Sequence, residues 1–293
     1  MTATSEARSR AAAAPPLEID RRASRAEMAD FLGRDRLLTA YALADLDPAY
    51  VNGARWWVAR RDGAAVAGAL VMLEASFRPV FVMGDARGAA LLLRQAVNES
   101  RVILTVPDDL AAVAQAEYRM ERVDRMIRMV VDRETFRPAD HARCLRLGPA
   151  HLDDVIDLYG LASRTHFTPA RLQHEVYYGL YDGPMLVAAA GTHVRSREFG
   201  IAAVGNVLTR VSYRDRGFAR ACTSAVTAVC LEEHRDVVLN VRHDNEPALA
   251  VYRNLGYRVY REFVEGPAHR RPVWERVAQQ LFTHADKREG ERA

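Results

Sequence analysis

In the second half of the chain the hydrophobic positions alternate between two periods. Leu152, Val155, Ile156 and Tyr159 fall on one face of a helix over residues 150–159. Two β-rich runs, 176–181 and 185–194, are split by Asp182, Gly183 and Pro184 and predict a hairpin. Ile201–Thr209 is a further apolar strand, and residues 217–233 form a helix that turns Phe218, Cys222, Ala225, Val226 and Val229 inward. Residues 236–241 make a buried strand. Glu246–Asn254 makes a short helix, which Leu255 and Gly256 close because glycine accepts the left-handed cap. A strand, a long helix and a second strand imply a parallel pair with a right-handed crossover. Ligands of such units sit at the carboxyl ends of the strands.

The first half repeats this plan more faintly. Runs 56–60 and 64–73 flank Arg61, Asp62 and Gly63 as a hairpin, 80–83 is a strand and 86–97 a helix. Leu104, Thr105 and Val106 with Tyr118 downstream match Leu239, Asn240 and Val241 with Tyr252 downstream at nearly the same offset, which points to a tandem duplication. The polar stretch 132–141, with Pro138, separates the halves. The expected organisation is a disordered tail at 1–16, a first domain at 17–131, a linker at 132–141, a second domain at 142–265, and a helix and tail at 266–293. In that last piece Val273, Trp274, Val277, Leu281 and Phe282 have helical spacing. The fold class is α/β (α+β): two domains, each a mixed central sheet flanked by helices around a parallel β-α-β core.

Chemistry enters where the strand Ile201–Thr209 gives way to the next helix, through Arg214, Asp215, Arg216, Gly217, Phe218 and Ala219. The first turn of a helix leaves N–H groups unpaired and carries partial positive charge, so an anion fits there. Gly217 permits close approach, Ala219 keeps the start uncrowded, and two arginines can bond a phosphate. Neither the GxxxxGK[ST] pattern of nucleotide hydrolysis nor GxGxxG is present. A plain turn flanked by exposed arginines is the alternative for these six residues taken alone.

Composition changes this picture only by exclusion. The net charge of +3 is spread along the chain, which gives no reason to expect nucleic acid as a partner. No segment is long and apolar enough to suggest a membrane span. Cys144, Cys222 and Cys230 have no CxxC spacing, so neither a disulfide framework nor a metal site is expected, and a reducing cytoplasm suits them.

After the strand ending at Val241 the chain continues with Asn245, Ala248, Tyr252, Leu255, Gly256 and Tyr257. RxxGxA at a helix start, followed after the next strand by N-x-x-A-x-x-x-Y-x-x-L-G-[FY], closely resembles the GNAT superfamily of N-acetyltransferases over residues 142–265. The resemblance implies acetyl-CoA as co-substrate, its pyrophosphate on Arg214–Ala219 and its pantetheine arm along Val207, Leu208 and Thr209. It also implies Asn245 and Ala248 at the cofactor and Tyr252 as the acid that protonates the departing thiolate. The acceptor would be a small-molecule or peptide amine, and the protein a monomer or homodimer. Candidates for the base that frees the amine are His174, Glu175, His193 and His243, because a carboxylate or imidazole is the usual acceptor. The first half lacks RxxGxA, an asparagine matching Asn245, and Leu-Gly after Tyr118, so it resembles a degenerate copy that supports the fold. A non-catalytic acyl-CoA-binding regulatory or scaffolding protein is the alternative.

Overall fold

The computed structural model describes residues 15–73 and 78–275. The first half runs β1 (Glu18–Asp20), α1 (Arg25–Gly33), α2 (Ala40–Ala44), β2 (Ala54–Arg61), β3 (Ala64–Met72), β4 (Pro79–Gly84), α3 (Ala86–Gln95), β5 (Arg101–Pro107), α4 (Ala111–Glu117), β6 (Tyr118–Met120) and β7 (Asp124–Asp132). The second runs β8 (Leu145–Arg146), α5 (Leu152–Tyr159), α6 (Pro169–His174), β9 (Tyr177–Asp182), β10 (Met185–Ser196), β11 (Ile201–Thr209), α7 (Phe218–Glu233), β12 (Asp236–Arg242), α8 (Glu246–Asn254) and β13 (Arg258–Arg270). Local chemistry accounts for several boundaries. Ser24 and Glu27 form a reciprocal capping box at the start of α1. Asp62 and Gly63, with φ of 50° and 78°, close the β2–β3 hairpin in the left-handed conformations such a turn needs.

The thirteen strands form one mixed sheet in the order β1-β2-β3-β4-β5-β13-β7-β12-β11-β10-β9-β8, with β6 also pairing β13. This order exchanges strands between the halves. β7, from the first half, lies antiparallel to β12, with Arg128 opposite Asn240. β13, from the second half, pairs with β7 through Glu265, then with β5 from Phe263 to His269, and with β6 at its end. Each half is therefore completed by backbone from the other. Strand β13 also runs past residue 265, where the second domain was expected to end.

Alternation along the central strands supplies both faces of the sheet. Ala202 and Val204 of β11 point into a core shared with Cys222, Val226 and Cys230 of α7. Ile201 and Ala203 point the other way, into a core made with Met28, Phe31 and Leu32 of α1 and Leu43 of α2, and with Val130 of β7 and Val238 of β12. Leu32 and Leu46 are fully buried and Leu43 is 3% exposed. Side chains like these contribute roughly 1.5–3 kcal/mol each when removed from water, so α1 and α2 hold the junction closed. Helix α3 covers the first half on the same face as α7, through Ala89, Leu92 and Leu93.

Several expectations need revision. Tyr118 does not correspond to Tyr252. It opens strand β6, is fully buried and donates to the Glu99 carbonyl at 3.0 Å, whereas Tyr252 lies within α8. Helix α3 ends at Gln95 rather than 97. The expected disordered tail falls almost wholly, and the helical stretch beyond residue 275 wholly, outside the described residues. No helix of the described residues is long and apolar enough to cross a membrane.

Candidate active site

Strand β11 pairs in parallel with β12 only from Ile201 to Val204. Beyond that point the two diverge while β10 remains alongside. The β10 register passes from Gly191 opposite Gly205 to Ala189 opposite Leu208, so Asn206 and Val207 together face the single residue Ala190. This is a β-bulge, and Asn206 has φ of 49°. The divergence leaves Val207, Leu208 and Thr209 as one wall of a cleft of about 580 Å³. Within that wall the Thr209 hydroxyl oxygen is buried and has no hydrogen-bond partner among the described residues.

The opposite wall is the start of α7. Gly217 is its N-cap with φ of 79°, a conformation that costs other residues energy, and no side chain caps the helix. A Cβ at this position would meet nothing within 4 Å, so glycine is required here for its backbone angle and not for space. The first-turn N–H groups therefore remain open to an anion. Arg214, Asp215, Gly217, Phe218, Ala219, Asn245, Ala248 and Tyr252 all line the same cleft as Val207, Leu208 and Thr209. Arg216 does not. Its guanidinium lies 5.0 Å over the Tyr213 ring and its Nη2 donates to the Ser212 carbonyl, because stacking on the neighbouring ring competes with reaching forward. Arg220 lines the cleft instead.

Asn245 caps α8, its Oδ1 accepting from the Ala248 N–H at 3.3 Å, and its amide nitrogen remains as a donor for a ligand. Tyr252 is 7% exposed, and no hydrogen bond of its hydroxyl occurs among the described residues. Burial pushes this phenol up to about 12. In the free protein it holds its proton and can donate a hydrogen bond into the cleft.

Across the bulge lies a second cavity, of about 740 Å³, built by both halves. Tyr41, Asp45, Phe81 and Thr105 come from the first half, and His166, Arg171, His193 and Asn240 from the second. His193 packs so closely on Gly205 that a Cβ there would lie 2.0 Å from its Nε2. Asn206 donates through Nδ2 to His166 Nε2 at 3.3 Å and to the Tyr177 hydroxyl at 2.8 Å. Burial, reinforced by the Arg171 charge, depresses His166 to about 4 and His193 to about 3, so both rings are neutral at physiological pH.

The remaining base candidates are differently placed. Glu175 is buried and occupied, accepting from Tyr50 at 2.7 Å and Thr192 at 2.5 Å. His174 and His243 are exposed and line neither cavity. His166 was missed because nothing in the order of residues places the loop before α6 against the bulge.

Residues 177–264, from β9 into β13, match the family model described as FR47-like protein. None of the curated proteins matches the chain. Among solved structures, a GCN5-related N-acetyltransferase from Kribbella flavida is similar with a TM-score of 0.58 at 16% identity, over 81% of this chain and 95% of that one. One from Sphaerobacter thermophilus gives 0.56 at 17%, over 88% and 98%. A tandem GNAT protein from the clavulanic acid biosynthesis pathway gives 0.55 at 17%, over 88% of this chain and 100% of its own. The splayed strands, the bulge, the open helix start and these neighbours converge on one statement: the chain has the GNAT fold in a tandem layout.

Proposed function

We propose that the chain is an N-acyltransferase that moves an acetyl group from acetyl-CoA to a primary amine by direct attack in a ternary complex. One observation carries this reading: the uncapped start of α7 opens on the same cleft as Tyr252 and the end of β11 that no longer pairs with β12. An anion-binding helix end, a strand edge and a proton donor in that order match the pyrophosphate, the amide-bearing arm and the thioester of acetyl-CoA. The unpartnered Thr209 hydroxyl is a further polar group that such a ligand would satisfy.

The acceptor amine enters from the junction cavity. Its nitrogen attacks the thioester carbonyl carbon while an N–H at the bulge stabilises the oxygen. The C–S bond then breaks and the proton lost by the amine ends on the CoA sulfur. Tyr252 hydrogen-bonds to the departing thiolate. Full proton transfer from a phenol near 12 to a thiolate of ordinary pKa near 8.5 is uphill. Tyr252 therefore supports charge on sulfur more than it delivers a free proton. His166 and His193, neutral and beside the bulge, relay the amine proton directly or through water. Most of the acceleration comes from holding the two reactants together. We place the reaction in a reducing cytoplasm, where Cys144, Cys222 and Cys230 stay free.

The test is release of free CoA thiol from acetyl-CoA with a panel of primary amines, for the wild type and Tyr252→Phe. The variant should lose turnover about 100-fold while acetyl-CoA affinity stays within about twofold. Unchanged turnover at saturating substrate removes Tyr252 from the mechanism. Tight acetyl-CoA binding with no thiol release from any amine would leave a binding protein instead.

A further inference from the structure

The junction cavity is lined by charge of both signs. Four charged side chains line it: Asp45, Arg128, Arg171 and Glu265. Arg128 and Glu265 answer one another. The charge of each acts on the other, Arg128 donates to Asn240 Oδ1 at 2.6 Å and to the Leu37 carbonyl at 2.9 Å, and Glu265 accepts from Thr105 at 2.9 Å. Arg171 sits at the transfer end. Its Nη2 donates to the His193 carbonyl at 3.1 Å, and its charge acts on both histidines beside the bulge.

Asp45 is the group left over. Among the described residues its carboxylate makes no hydrogen bond and no ion pair, yet it lines the cavity, one helical turn beyond Tyr41, whose ring lies 5.9 Å from that of His193. Burial alone pushes it up to about 7. Asp45 is half-buried, and a carboxylate that loses part of its water without gaining a partner is a place where a cation arriving in the cavity would be favoured. Tyr41, Tyr50 and Phe81 add ring surfaces to the same cavity, which suit an organic ammonium.

We propose that Asp45 binds a second, non-reacting ammonium of the acceptor, so that the preferred acceptor is a short-chain diamine. The inference rests on the acyl-transfer reading above and adds its substrate class. The two ends of the cavity then do opposite things. The Arg171 charge beside the bulge disfavours an ammonium there and keeps the reacting nitrogen neutral and nucleophilic. The Asp45 carboxylate holds the distal nitrogen charged.

The experiment compares 1,4-diaminobutane and 1,5-diaminopentane with butylamine and with glycine, on the full chain, by thiol release and by calorimetry without acetyl-CoA. The expected result is a wild-type kcat/KM at least about tenfold higher for a diamine than for butylamine, and a drop of about tenfold in that ratio in Asp45→Asn, carried by KM. Asp45→Glu should recover part of the ratio. Calorimetry separates this inference from the reaction itself. Diamine binding that Asp45→Asn weakens supports the cation site even if no acetyl group moves. No preference for diamines, an equal loss for mono- and diamines, or glycine as the better acceptor would each overturn it. Acetyl-CoA binding by Asp45→Asn checks that the variant is folded.

Discussion

The starts of α7 and α3 follow the corresponding strands of the two halves, and they end in opposite states. At α7 the N-cap is Gly217, no side chain covers the first-turn N–H groups, and a cleft lies in front of them. At α3 the N-cap is Asp85, whose carboxylate accepts from the N–H groups of Arg87 at 3.0 Å and Gly88 at 2.9 Å and pairs with Arg61 at 3.2 Å. Those bonds hold the Asp85 carboxyl below its usual range, the Gly88 N–H foremost. At α3 the chain's own carboxylate occupies the helix start that at α7 stands open. The strands differ in the same sense: β11 carries a bulge, whereas β4 keeps an unbroken register with β3 from Val80 to Gly84. The two halves differ in how the helix start and its strand are finished and not in the order of strand, helix and strand.

The largest effect should come from cutting the halves apart. Because β7 completes the second half and β13 the first, residues 15–131 and 142–275 expressed separately should each fail to unfold cooperatively, and co-expression should restore a single transition. A cooperative melt of either piece alone would show that the strand exchange is dispensable.

Next is the conversion of one helix start into the other. Gly217→Asp imitates Asp85 and should weaken acetyl-CoA binding about 100-fold, read by calorimetry, through loss of the N–H sites and repulsion of phosphate. Binding within threefold of the wild type would mean that the pyrophosphate does not lie there. The reverse change should be milder. Asp85→Ala should cost about 1 kcal/mol of stability as a lost cap, seen as a lower Tm. It should leave the stoichiometry at one acetyl-CoA per chain, since the strand beside it has no bulge. Two per chain would show that Asp85 alone had closed the first half.

The remaining effect concerns acid. His193 is neutral in the folded protein down to about pH 3, whereas in the unfolded chain it takes a proton near pH 6.5. Between these values the unfolded state binds more protons, so stability falls as pH drops below about 6.5. At pH 5 this contribution is at most about 2 kcal/mol. His193→Gln should therefore lose less Tm than the wild type between pH 7 and pH 5. An identical slope would show that the ring is already charged in the native state. Asp45 acts in the opposite direction, its raised value favouring the folded state on acidification, and the comparison within one variant pair removes it.

Local signals carried most of the second half. The hairpin at Asp182 to Pro184, the strand Ile201–Thr209 and the helix that follows each have a period and a turn residue that need no distant partner. The cleft residues were legible for the same reason, since a strand end and a helix start adjoin in the chain. What escaped was non-local. The segments that form β7 and β13 were not picked out as strands and fell within the bounds of their own halves, because nothing in an apolar run names the edge it will pair with. Tyr118 looked equivalent to Tyr252 because offset along the chain does not reveal that α4 ends before it.

The amino-acid sequence by itself determined an anion-binding helix start after an apolar strand and a tyrosine one helix later, because those depend on neighbours within a few residues. The tertiary structure alone decided that Arg220 and not Arg216 faces the cleft, that His166 meets Asn206 at the bulge, and that Asp45 stands unpaired in a cavity shared by both halves. These depend on where a side chain finds a ring, a carboxylate or an empty space. Only packing of segments far apart in the chain fixes that.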